Sequence, residues 1–199
     1  MKIAFATIPM QKIDPVFYKS EENKEIEFQG KVRLPINALL AKTLKKDEEL
    51  KVVRIITEGE FSESSAKQQQ EELDKINENI GAKITYTDVR ESFKETSDIV
   101  QSRFRQIVGT FENNCEIYAD MTYGPKTLTP VLFYALGFAE KFFDANVKNI
   151  VYGKFRFDDN NSAEIYDVTA LYYLNSLTNV MSAPDGKTAL ARLDKFFEL

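Results

Sequence analysis

The chain has 199 residues, 43% hydrophobic and 29% charged, which suits one folded domain with at most a small appendage. Lys and Arg total 26 against 31 Asp and Glu, and this net charge of −5 argues against long DNA or RNA as a partner. One cysteine and no histidine exclude an internal disulfide, a thiolate metal cluster and His-activated nucleophiles.

The N-terminus, MKIAFATIP, is too short for a signal peptide and predicts a first strand. No stretch approaches the roughly 20 apolar residues that a membrane span needs. We therefore expect a cytoplasmic protein that has no membrane partner.

Strand-like and helix-like apolar patterns alternate along the first 145 residues. Strands are predicted at 2–8, 50–57, 82–89 and 115–122. Helices are predicted at 35–44, 62–80, 96–111 and 128–143. This alternation predicts an α/β fold, a Rossmann-like, mostly parallel sheet with helices on both faces.

The C-terminal part predicts a closing antiparallel hairpin, residues 149–157 and 163–169, joined by the turn sequence DDNNS. Two helices follow, at about 170–181 and 187–198, separated by the breaker SAPDG. We expect a ligand-binding domain over 1–181 and a C-terminal helix in 182–199.

The connector 9–34 is far longer than the usual two to six residues. Within it, VFYK and KEIEF alternate as in a small β-hairpin, so 12–34 is predicted to be a hairpin-bearing insert. Long loops in compact domains are often functional, which makes this insert a candidate lid.

The helix at 128–143 is apolar nearly all round, and one sheet face cannot cover every side of it. One side carries Leu128, Leu132, Ala135, Leu136 and Ala139. The other carries Val131, Tyr134, Phe138 and Phe142. Burial beneath the C-terminal helices and a homodimer interface are both compatible with this pattern.

The segment YADMTYGPKTLTP (118–130) begins as a buried strand and ends as a helix, with polar residues between. Open α/β sheets bind ligands at such carboxyl ends, and the free N–H groups of a helix start suit a phosphate. Gly124 permits close backbone approach, Pro125 fixes the turn, Lys126 adds a charge, and Asp120 is suited to orienting the loop. The hydroxyls come from Thr122, Thr127 and Thr129. Helix capping by Thr127 or Thr129 is the simpler alternative.

The sequence DMTYGPKTL resembles the Asp-x-Thr-His-Gly motif of one branch of the CRISPR-associated Rossmann-fold (CARF) family. The resemblance extends over nearly the whole chain, through the insert, VVRIITEGEF and the closing hairpin. Tyr123 stands at the position of the motif's His. Relatives usually continue into an effector domain, whereas the sequence given ends at ALARLDKFFEL.

The resemblance implies a homodimer that binds a cyclic oligoadenylate, a second messenger of type III CRISPR antiviral signalling, across its two-fold axis. Cyclic tetra-adenylate is favoured, with cyclic hexa-adenylate as the alternative. The implied ligand contacts are Thr7, Pro9, Met10, Gln11, Gly59, Phe61, Ser62, Asp120, Thr122, Tyr123, Gly124, Pro125, Lys126 and Thr127.

Several of these positions have plainer alternatives. Thr7 to Gln11 also fit an ordinary loop, and Ser62 or Ser64 beside Glu58 also fits a helix N-cap. Tyr123 suits adenine stacking or the core equally. The strand residues Lys154 and Arg156 are predicted to lie on a solvated face. Asp167 and Thr169 are predicted to cap the next helix.

Three roles follow for such a chain. The first is a stand-alone ring nuclease, in which the ribose 2′-OH attacks its own 3′-phosphate, so neither a metal nor a cofactor is needed. Its candidate catalytic residues are Lys126 as electrostatic stabiliser and Thr122, Tyr123 and Thr7 as positioning groups. The second role is a non-catalytic sensor or sink, and the third is an enzyme acting on a mononucleotide. Asp158 and Asp159 are predicted to form a solvated turn, which is not a metal site.

Overall fold

The computed structural model describes residues 1–155 and 162–197, in which strands and helices largely alternate. The strands are β1 (Lys2–Thr7), β2 (Phe17–Lys19), β3 (Glu49–Thr57), β4 (Lys83–Glu91), β5 (Glu116–Asp120), β6 (Asn146–Phe155) and β7 (Ser162–Asp167). The helices are α1 (Pro35–Thr43), α2 (Ser62–Asn77), α3 (Ser97–Val108), α4 (Leu128–Phe142), α5 (Thr169–Val180) and α6 (Gly186–Phe197).

The seven strands form a single sheet in the order β2-β7-β6-β5-β1-β3-β4. Strands β6, β5, β1, β3 and β4 are mutually parallel, and β7 runs antiparallel to β6. This arrangement confirms the predicted α/β, Rossmann-like fold and the antiparallel closing pair. The turn predicted between β6 and β7, including Arg156, Asp158 and Asp159, lies outside the described residues.

The direction of the crossovers changes between β1 and β5. From β1 the chain passes through α1 to β3 and through α2 to β4, and it then returns through α3 to β5 and α4 to β6. Helix α1 packs on α2, and α3 packs on α4. Because crossovers of this kind are right-handed, the two pairs cover opposite faces of the sheet. The edge where β1 and β5 end is therefore the expected ligand-binding crevice.

The centre of the sheet is covered on both faces, which explains its apolar sequence. All six residues of β1 are buried, and β3 is largely buried, as its run of β-branched residues predicts. Each fully buried aliphatic side chain contributes about 1.5–3 kcal/mol through removal of apolar surface from water. This core fixes the positions from which the loops at the carboxyl edge extend.

The insert does not form the predicted hairpin. VFYK contributes the edge strand β2, which pairs in parallel with β7, whereas KEIEF begins with a 3₁₀ helix, Lys24–Ile26. The Asn23 side chain accepts the Glu25 backbone N–H (3.0 Å), and Ile26 points into the core. Local capping and burial of one apolar side chain therefore override the alternating pattern.

Helix α4 buries the side on which Leu128, Leu132, Ala135, Leu136 and Ala139 lie. On its other side, Val131 is buried as well, whereas Tyr134 is 64% and Phe142 59% exposed. Tyr134 and Phe142 are therefore the residues of α4 that remain available for the predicted homodimer interface.

The chain divides into two units, Met1–Thr169 and Ala170–Leu199. The first contains the whole sheet and its flanking helices. The second contains most of α5 and all of α6, an amphipathic helix with no buried residue. At the start of α6, Asp185 accepts the backbone N–H (2.8 Å) and the hydroxyl (2.9 Å) of Thr188, which caps the helix.

Candidate functional site

The polar turn after β5 is built on a buried aspartate. Asp120 is fully buried and accepts hydrogen bonds from the backbone N–H of Thr122 (2.9 Å), from the Thr122 hydroxyl, and from the backbone N–H of Ile36 (3.2 Å) at the start of α1. Desolvation by burial outweighs these bonds and raises the pKa of Asp120 to about 6. The carboxyl therefore orients the loop, as its position in the sequence predicts.

Two threonine hydroxyls join this turn to its neighbours. The Thr122 hydroxyl donates to Asp120 and accepts the backbone N–H of Gly153 in β6 (2.8 Å). The Thr7 hydroxyl, at the end of β1, accepts the backbone N–H of Tyr123 (3.1 Å). These two bonds thus link the carboxyl-terminal parts of β1, β5 and β6 at the point where the crossover direction changes.

Tyr123 lies over the insert and the end of β6. Its ring packs 6.3 Å from the Phe155 ring, centroid to centroid, and borders the core cluster that contains Tyr18. The Tyr123 hydroxyl is buried and has no hydrogen-bond partner of standard geometry among the described residues, while Tyr18 donates to the carbonyl of Arg33 (2.8 Å). Burial raises the pKa of Tyr123, so the phenol is neutral at pH 7.

The start of α4 offers free backbone donors. Gly124 adopts a left-handed conformation (φ 99°), which favours glycine at this position. No protein acceptor in the described chain faces the N–H groups of Gly124, Lys126 and Thr129, and the Lys126 side chain is exposed. Thr127 is the N-cap residue, but its hydroxyl does not cap the helix. These donors beside a lysine suit an anion.

Behind the turn lies a buried ion pair that sequence reasoning missed. Arg103 of α3 is 0% exposed; its Nε donates to Glu91 at the end of β4, and its Nη1 donates to the Thr127 hydroxyl (2.7 Å). Its Nη2 has no partner in the described part of the protein. Glu91 also accepts the Thr57 hydroxyl (3.0 Å), and its burial raises its pKa. An arginine on the polar-looking helix 96–111 gave no sign of this contact.

The loops after β1 and β3 meet beside this turn. Pro9 is buried, Gln11 is exposed, and Met10 packs so closely on Gly59 that an added Cβ would lie 2.9 Å from the Met10 Cβ. Phe61 is 37% exposed.

The predicted N-caps of α2 are wrong. Phe61 is the N-cap residue, the buried Ser62 hydroxyl donates to the carbonyl of Thr57 (2.6 Å), and Ser64 donates to the carbonyl of Phe61 (2.8 Å). These serines therefore satisfy carbonyls that precede the helix, and the proton of the Ser62 hydroxyl is engaged at the end of β3.

A cleft of about 500 Å³ opens at the ends of β3 and β4, next to the Asp120 turn. Its lining residues are Ile56, Glu58, Gly59, Ser62, Glu63, Arg90, Glu91 and Ser92. Arg90 is paired with both Glu63 and Asp88, so the free charge of the cleft is mainly acidic. The cleft is better suited to hydroxyl groups than to a phosphate.

The closing pair contributes a second turn of the same design. Asp167 accepts the backbone N–H (3.0 Å) and the hydroxyl of Thr169, and the Thr169 hydroxyl accepts the backbone N–H of Ile150 (2.8 Å). Asp167 thus accepts the first N–H of α5, whereas the Thr169 hydroxyl serves β6 and does not cap the helix as predicted. Lys154 is exposed on β6, as predicted for a solvated face.

No family model matches the sequence, and no curated protein shows significant similarity to it. Among residues 1–155 and 162–197, no three acidic, cysteine or histidine side chains are grouped so as to hold a metal ion. In the same part of the chain, no helix combines the length and the apolar character that crossing a membrane requires.

Proposed function

We propose that the chain binds a cyclic oligoadenylate at the turn from Asp120 to Thr129, with two copies of the turn facing each other across the axis of a homodimer. The observation that carries this proposal is the set of acceptor-free N–H groups of Gly124, Lys126 and Thr129 beside the Lys126 side chain, at the switch point of the sheet. This is where open α/β sheets place anionic ligands.

The dimer follows from the size of the interactions. Each charge-assisted hydrogen bond contributes about 1.5–3 kcal/mol, and a helix N-terminus adds about 0.3–1 kcal/mol. One protomer would therefore hold a flexible ring weakly, whereas symmetric doubling of the contacts supports micromolar binding. The exposed Tyr134 and Phe142 of α4 offer apolar surface for such an association.

We further propose slow, metal-independent cleavage of the ring. The ribose 2′-OH attacks the adjacent phosphorus, the bond to the 5′-oxygen breaks, and the products are a 2′,3′-cyclic phosphate and a 5′-hydroxyl. The Thr7 and Thr122 hydroxyls are engaged within the turn, so they act by holding it in position. Tyr123 is a neutral positioning group, and Lys126 stabilises the developing negative charge. Because the 2′-OH and the phosphate already belong to one nucleotide, alignment supplies only part of the gain of a fully assembled bimolecular step, and turnover without a histidine is expected to be slow.

The decisive experiment measures binding and cleavage together. The protein is incubated with cyclic tetra-adenylate in EDTA, the products are separated by chromatography, and affinity is measured by calorimetry. Lys126→Gln is expected to weaken binding about tenfold or more. Lys75→Gln, which removes an exposed lysine from the last turn of α2, is the matched control and should bind as the wild type does.

The outcomes separate the alternatives. Tight binding with the ring still intact after hours would indicate a non-catalytic sensor or sink. The Thr7 and Thr122 hydroxyls, which are bonded within the protein, are also compatible with that role. Absence of binding to cyclic tri-, tetra- and hexa-adenylate would overturn the proposal. The second candidate is a mononucleotide enzyme: the cleft beside Glu58 and Ser92 lies within one protomer and suits the hydroxyl groups of a nucleoside, whose phosphate would have to reach the start of α4. Binding of one mononucleotide per monomer would identify that role.

A further inference from the structure

The start of α4 already holds an anion, supplied by the chain itself. Glu95, in the exposed loop between β4 and α3, accepts the backbone N–H of Thr127 (3.0 Å). Hydrogen bonding to Thr127 lowers the pKa of Glu95, and the positive charges of Arg103 and Lys126 lower it further. A backbone donor and two cations therefore act on one carboxylate.

The buried cation of this group is not fully satisfied. Arg103 is fully buried and reaches the N-cap of α4, where its Nη1 donates to the Thr127 hydroxyl (2.7 Å). Its Nη2, on the same guanidinium, has no partner among the described residues. A buried donor without a partner is uncommon in folded proteins and calls for an explanation. Here it lies beside a helix start, where anions bind.

We propose that the start of α4 is a phosphate subsite, that Arg103 supplies its buried positive charge, and that the Glu95 carboxylate occupies it until a ligand phosphate displaces it. The ligand class is a phosphate mono- or diester. Glu95 is exposed, so it leaves by side-chain rotation and the core is unchanged. The inference rests on the proposed function in one respect, because the displacing phosphate is taken to belong to the cyclic oligoadenylate.

A purely structural Glu95 leads to a different expectation. If its only task were to tie the loop to Thr127, removing it would destabilise the loop and leave phosphate affinity unchanged or weaker. If it competes with the ligand, removing it strengthens phosphate binding. The direction of the change in affinity therefore separates the two roles.

The test is a titration with inorganic phosphate at constant ionic strength, followed through the backbone amide resonances of Gly124, Lys126 and Thr129. We expect Glu95→Ala to lower the dissociation constant about three- to tenfold relative to the wild type. Glu112→Ala removes an exposed, hydrogen-bonded glutamate from the opposite end of the sheet and should leave the dissociation constant unchanged.

The role of Arg103 is tested in the same titration. Arg103→Gln is expected to raise the dissociation constant about tenfold, whereas Arg54→Gln, which removes an arginine paired with Asp88, should not change it. If Arg103→Gln does not fold, the Glu91→Gln variant tests the role of the Arg103 charge in its place. Loss of the Glu91 charge leaves the guanidinium less neutralised and should tighten phosphate binding about threefold.

Wild-type affinity in Glu95→Ala, in a folded Arg103→Gln or in Glu91→Gln would overturn the assignment of that residue. Absence of amide shifts in the wild type would overturn the subsite itself. If these effects appear with phosphate but cyclic tetra-adenylate does not bind, the subsite stands and the proposed function falls. If cyclic tetra-adenylate binds but phosphate affinity does not respond to these variants, the proposed function stands and the subsite assignment falls.

Discussion

Replacing Asp120 with asparagine should change the pH dependence of stability in a defined direction. Asp120 is buried at the base of the turn, and desolvation raises its pKa to about 6 from an ordinary value of 3.8. The folded state therefore binds more protons than the unfolded state between these two values. The stabilisation that the Asp120 carboxyl contributes to the folded state is complete below about pH 3.8 and is lost as the pH rises through about 6. Asparagine does not titrate, so the stability of the variant does not fall over this pH range for this reason.

The magnitude follows from the two pKa values. Their separation corresponds to about 3 kcal/mol of unfolding free energy, of which about 2 kcal/mol falls between pH 4.5 and pH 7. The variant also has a pH-independent cost of about 1–3 kcal/mol, because its amide N–H₂ would face the Ile36 N–H that Asp120 now accepts. The wild type's advantage over Asp120→Asn should therefore shrink by about 2 kcal/mol across this range.

Urea denaturation of both proteins at several pH values between 4.5 and 7 measures this difference. Asp167→Asn is the matched control, because Asp167 makes the same two bonds to the threonine that follows but is only partly buried. A gap between wild type and Asp120→Asn that stays constant or widens with pH would refute the argument from desolvation.

Three further changes test the packing of the turn by chemical denaturation. Gly153→Ala places a Cβ 2.5 Å from the Pro35 Cγ and should cost about 1–3 kcal/mol, whereas Gly186→Ala meets nothing within 4 Å and should stay within about 0.5 kcal/mol; equal effects would contradict this. Thr122→Val removes the bonds to Asp120 and Gly153 and should cost about 1–3 kcal/mol, with wild-type stability as the contrary result. Tyr123→Phe removes a buried hydroxyl whose contact with the Tyr18 phenol falls short of standard hydrogen-bond geometry, so it should change stability by less than about 1 kcal/mol, and a larger loss would show that this contact is a full hydrogen bond.

Periodicity predicted the sheet because its central strands, β1 and β3, are near-continuous apolar runs, whereas β4 and most of the helices alternate apolar and polar residues with their own periods. Pattern reasoning failed in the insert, where KEIEF alternates as a strand does. There the Asn23 cap and the burial of Ile26 fix a 3₁₀ turn. Such short-range side-chain bonds compete with strand pairing, and periodicity does not register them.

The candidate site was predictable only where its residues are adjacent in sequence. Asp120 and Thr122 form a local turn, so their spacing predicts their contact. Arg103 reaches Thr127 across 24 residues and Glu91 across 12, and these contacts arise only when α3 packs on α4 and on β4. The Ser62 hydroxyl illustrates the opposite error, since a frequent capping residue here serves the strand before the helix.

Two backbone amides of β6 can report whether the site is occupied. Its Ile150 and Gly153 amides are bonded to the hydroxyls of Thr169 and Thr122, side chains that extend the hydrogen-bond ladder past the ends of β7 and β5. A ligand that shifts the Asp120 turn must alter the Gly153 amide while leaving Ile150 as an internal standard. The ratio of their hydrogen-exchange rates would therefore register occupancy without a probe attached to the protein or to the ligand.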